Sequence, residues 1–151
     1  MGSWGSGSFE NDWALDWAGD LRESEDASPV RRALEQVVAH GGTKYSAPSM
    51  LERLRGLSRH TDWLKAQDAA RALAAAEIVS AWLGHAPAKL PDGIADWLEQ
   101  HSGSFPSDLI TLAREAVRIV KTNSELKNLY EEDGTTEWRE GVEDLERRLH
   151  N

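Results

Sequence analysis

The chain has 151 residues, enough for one domain with a real core, and its 40% hydrophobic and 28% charged residues describe a soluble globular protein rather than a disordered one. Its net charge of −9, from 26 acidic and 17 basic residues, argues against nucleic-acid and anionic-membrane partners, whose binding draws on clustered Lys and Arg. Cysteine is absent, which excludes disulfides, thiol catalysis and thiolate metal sites.

Residues 1–10 form a glycine-rich lead carrying Trp4, with neither the positive segment nor the apolar run of a secretory signal; a cytoplasmic location is the default expectation. Asn11 or Asp12 can cap a first helix running to about Arg22. In it Trp13, Trp17 and Leu21 recur every four residues as a buried stripe, with Asp12, Asp16 and Asp20 as a parallel acidic stripe. Ser28 and Pro29 make a cap and first-turn pair for a second helix, whose inward residues are Val30, Ala33, Leu34, Val37 and Val38 and which Gly41-Gly42 ends. Residues 43–61 mix helical spacing with Gly, Pro and Ser and are expected to be a mobile insertion with one short helix.

Ala66 to Gly84, AQDAARALAAAEIVSAWLG, predicts the central element. Its small side chains favour helix and let neighbours approach closely. After Arg71 the polar face vanishes, and a helix that is apolar all round belongs inside. Pro91 and Asp92 open a short helix ending near Gly103; Pro106 starts another with Leu109, Ala113, Ala116, Val117 and Val120 inward. Asn123 caps a brief helix ended by Gly134, and Thr135 or Thr136 caps a last one with Trp138, Val142, Leu145 and Leu149 on one side. No stretch sustains the period-two alternation of a strand. The expected fold is all-α: a compact single-domain bundle of about six or seven helices around a buried Ala-rich central helix. No apolar run reaches the roughly 20 residues of a bilayer span.

Glu77 is the anomaly in this helix, because a buried carboxylate needs pairing, hydrogen bonds or protonation. Arg114, Arg71 and donors in the lead are the candidate partners, so Asn11, Glu77 and Arg114 make up the expected polar core. In an enzyme, Glu77 and Asp12 would be the catalytic carboxylates, in a cleft beside the lead. Gly2, Gly5 and Gly7 could cradle a phosphate at a helix start, but Glu10 and Asp12 would repel it. Asp12, Asp16 and Asp20 lie along a straight helix and do not converge on one cation. The histidines form neither HExxH nor ExxH, so no metal site and no cofactor are expected. Among seven tryptophans, Trp4 and Trp63 fall outside regular elements and are candidates for surface contact, together with Asp12, Asp16 and Asp20.

The opening motif of Gly2, Trp4, Gly5, Gly7, Phe9, Asn11, Asp12 and Ala14 resembles that of a bacterial family, the domain of unknown function 4259. Leu15-Asp16-Trp17, ALAAAEIVSAWLG from Ala72 to Gly84, and SELKNLYEE from Ser124 to Glu132 are also similar to its members. The resemblance implies a small bacterial helical protein and no activity. Residues 43–61 look like an addition to the shorter family pattern. The expected function is a small acidic binding module, of the immunity or regulator type, that masks a basic protein partner. A carboxylate enzyme or small-molecule binder is the rival, and a homodimer built on the Trp-rich helices a third reading.

Overall fold

A computed structural model describes residues 7–39, 64–87, 89–122, 124–132, 134 and 136–150. The expectations for Gly2, Trp4, Gly5, Trp63, Gly41-Gly42, Asn123, Thr135 and residues 43–61 lie outside the described residues. Seven α-helices form among the described ones, and no strand: α1 (Asp12–Arg22), α2 (Ser28–Ala39), α3 (Ala66–Trp82), α4 (Ile94–His101), α5 (Asp108–Thr122), α6 (Glu125–Glu132) and α7 (Glu137–His150). A single 3-10 turn, Ser102–Ser104, follows α4.

The periodicities translate directly into burial. Trp17 and Leu21 of the α1 stripe are buried with Ala14 and Ala18, and Trp13 is half-buried. Val30, Leu34 and Val37 are the buried face of α2. Every residue of α3 from Ala72 to Ser80 is buried, because the helix packs on α1, α2, α5, α6 and α7 at once. Alanine is what makes such crowding feasible, since larger side chains on every face would hold the neighbours apart. Its start has no cap of its own at Lys65; Glu125 on α6 reaches across to accept the Ala66 N–H at 3.0 Å, and Glu125 N–H bonds Leu64 C=O at 3.1 Å.

Asn11 is the N-cap of α1, with extended backbone and its Oδ1 accepting Ala14 N–H at 2.8 Å; Asp12 is the first helical residue. Two other caps come from residues the sequence reading did not name as caps. Ser28 already lies inside α2, and the Asp26 carboxylate two residues earlier accepts its N–H at 2.9 Å. At α6 it is Ser124 that caps: its Oγ accepts Lys127 N–H at 3.1 Å and donates to Val120 C=O at 2.7 Å, joining α5 to α6. Arg31 pairs with Asp108 through two bonds of 2.8 and 2.9 Å, tying α2 to α5, and Lys121–Glu146 at 2.8 Å ties α5 to α7. No helix among the described residues is long and apolar enough to cross a membrane.

Candidate functional site

The C-terminal turns of α3 and α7 meet at the buried carboxylate of the central helix. Glu77 is 3% exposed. Its partner is Arg148, not Arg114 or Arg71. The guanidinium makes a two-pronged contact, Nη1 to Oε2 at 2.8 Å and Nη2 to Oε1 at 3.0 Å, the geometry that suits Arg to carboxylate. The same Nη1 also reaches Ser80 Oγ and His85 C=O, both at 3.2 Å, while Nε donates to Asp144 at 2.8 Å. Ser80 Oγ donates to His85 C=O at 2.6 Å. The lead contributes through a side chain: Ser8 Oγ donates to Glu77 Oε1 at 3.1 Å.

Helix geometry explains why Arg148 arrives there. Leu145 and Leu149 are its buried neighbours on α7, and Asp144 precedes it by one turn. Near the end of the helix, backbone carbonyls are left without intrahelical partners. His85 Nδ1 lies 3.1 Å from Arg148 C=O, and because a carbonyl only accepts, that contact places the hydrogen on Nδ1. Arg114 Nε donates to Leu149 C=O at 2.9 Å. Arg114 is thus half-buried and caps α7, while Arg71 approaches Asp68 at 3.5 Å.

The charges respond to these contacts. Arg148 has its pKa raised: burial opposes its charge, and hydrogen bonding and attraction from Glu77 and then Asp144 outweigh that. Asp144 is held below the ordinary carboxylate value, chiefly by its hydrogen bond from Arg148.

Beside this network opens a cleft of about 580 Å³ between the lead and α7, within the range of ligand pockets. Its floor is Leu73, Trp138 and Val142, all buried, together with Glu77. Phe9, Leu15, Leu90 and Pro91 form its apolar shoulder; Glu10, Lys89 and Asp144 stand at its rim. Asp12 does not line it, so the two carboxylates expected to work together are not brought into one cleft. Glu77 is tied by two bonds to Arg148 and so fastens α3 to α7.

The stripe of Asp12, Asp16 and Asp20 is exposed along α1. Next to it lies α4, joined by Arg22 Nη1 to Asp92 C=O at 3.0 Å and Trp97 Nε1 to Ser24 C=O at 3.0 Å. Across residues 10–26 and 89–101 ten carboxylates face solvent: Glu10, Asp12, Asp16, Asp20, Glu23, Glu25, Asp26, Asp92, Asp96 and Glu99. Arg22 and Lys89 are the only lysine or arginine residues in these two stretches. Sequence reading identified the α1 part of this surface. It missed α4, because nothing in the linear pattern places α4 against α1. No group of three or more metal-ligating side chains comes together among the described residues.

A family model described as "Domain of unknown function (DUF4259)" matches residues 2–49 and 46–141. Asp144 and Arg148 lie beyond the last matched residue. No curated protein matches the chain, and no solved structure does.

Proposed function

Because this chain belongs to the DUF4259 family, whose description names no activity, we propose from charge and shape that it is a non-enzymatic binding module that masks or regulates a basic protein partner. The observation that carries the reading is the exposed acidic surface of α1 and α4, ten carboxylates against two cations in the stretches 10–26 and 89–101. Acidity kept only for solubility would be interspersed with basic residues, as it is on α5 and α7, where Arg118 pairs with Glu115 and Arg147 with Asp144. A surface weighted this far to one sign, with Arg32 and Arg71 meeting it at the Asp20 and Glu23 edge, steers an oppositely charged partner and raises its association rate. Asp12, Asp16 and Asp20 are the central contact residues of this reading. It sets the protein in the bacterial cytoplasm, in the manner of an immunity protein or regulator.

The test is capture of partners by tagged protein at low and high salt, compared with an Asp16→Lys variant. A basic protein retained at low salt, released at high salt and lost with Asp16→Lys is the expected result. A partner insensitive to both salt and Asp16→Lys would refute the charge-based reading.

A further inference from the structure

The cleft beside the acidic surface has a composition of its own: a buried apolar floor of Leu73, Trp138 and Val142, and carboxylates at the rim in Glu10 and Asp144. Among the described residues the rim charges outside an ion pair are Glu10 and Lys89, since Asp144 and Arg148 hold each other and Arg148 also holds Glu77. Leu15 connects the two surfaces. It is the exposed large hydrophobic residue of the described chain, 36% accessible, and it lines the cleft while Asp12 and Asp16 flank it on α1. With Glu10, Asp12 and Asp16 beside Leu15, an apolar hollow flanked by negative charge on its α1 side fits an apolar side chain carried between positive ones.

Resting on the binding-module reading, we infer that this cleft takes an apolar anchor residue from a lysine- or arginine-rich segment of the partner. The partner's cations lie along Asp12, Asp16 and Glu10, and the anchor enters against Leu15 and Trp138. Charge then supplies attraction and register, and the anchor supplies specificity, as buried hydrophobic residues at the centre of interfaces commonly do.

The test uses two lysine-rich peptides of equal length and charge, one with a central leucine and one with alanine, titrated against the full chain at low salt. The leucine peptide is expected to bind at least about tenfold more tightly, from the added apolar surface it buries. Gly141→Leu is the cleft-blocking variant. Gly141 lines the cleft on exposed helix, nothing lies within 4 Å of an added Cβ, and the change favours helix, so it folds. It should abolish the leucine preference and leave the alanine peptide's binding unchanged, whereas Asp16→Lys should weaken both peptides. Equal affinity for the two peptides, unaltered by Gly141→Leu, would overturn the anchor inference and leave the charge reading standing. Binding of neither would overturn both. Sedimentation of the protein alone covers the remaining occupant: a dimer that Gly141→Leu dissociates would assign the cleft to a second copy and overturn the inference.

Discussion

Arg148→Met removes the cation from Glu77 while keeping much of the side-chain volume. The carboxylate is 3% exposed and would retain one neutral donor, Ser8 Oγ, among its described contacts. Removing one member of a buried ion pair costs about 3–5 kcal/mol, because the other charge stays buried and unpaired. Arg148 is itself 17% exposed, so some water can reach the gap and the lower end, about 3 kcal/mol, applies. For a chain of this size each kcal/mol moves the melting temperature by about 2–4 °C, giving a fall of about 6–12 °C. The double variant Glu77→Leu, Arg148→Met has no stranded charge, and swaps of this kind are often neutral. It should recover at least half of the loss, since Ser80 Oγ keeps its bond to His85 C=O. Thermal melts and urea titrations of the two single variants and the double supply the comparison. A melting point within about 2 °C of the parent for Arg148→Met, or a double variant that loses the sum of the singles, would refute the view of Glu77 as a fastened charge.

Asn11→Ala should cost about 1 kcal/mol through loss of the bond to Ala14 N–H, with Asn11→Asp largely retaining it; equal urea midpoints for Asn11→Ala and the parent would contradict the cap. Gly93→Ala should be more damaging than Gly134→Ala. Both positions have positive φ, +83° and +73°, but only at Gly93 does a new Cβ collide, 2.8 Å from Arg22 Cδ; left-handed strain alone is about 1–2 kcal/mol, and equal losses in calorimetry would show that Arg22 moves aside freely. The pH dependence has a definite sign. Asp144 has a lowered folded pKa, so the unfolded chain binds more protons; its contribution is intact above the ordinary aspartate value near 3.8 and is lost as pH falls from there through the folded value. Asp144→Asn should therefore flatten the acid limb of a stability-versus-pH curve, and an unchanged limb would rule out that linkage.

Much of the architecture was legible because helix periodicity is local. The spacing of Trp17 and Leu21, of Val30, Leu34 and Val37, and of Trp138, Val142, Leu145 and Leu149 marks buried faces whatever they pack against. The run from Ala72 to Ser80 carries even its position: a helix with no polar face has nowhere to go but the centre. The need of Glu77 for a partner is likewise a matter of solvation, and follows from one residue type in that run.

Which cation answers that need is not local. Arg71 and Arg114 are nearer in sequence, yet Arg71 lies close to Asp68 and Arg114 is spent on Leu149 C=O, while Arg148 comes from the far end of the chain. The packing of α7 on α3 decided it, and that packing buries Leu145 and Leu149 on either side of Arg148. The caps at Ala66 and at the end of α7 are supplied in the same way, by Glu125, His85 and Arg114 from other elements. So is the candidate binding surface: Asp12, Asp16 and Asp20 align by helix geometry alone, but their union with α4 and the cleft beside Leu15 exists only where the helices meet. Short-range periodicity sets what each helix buries, and the choice among distant polar partners is made by the three-dimensional packing that brings them within hydrogen-bond reach.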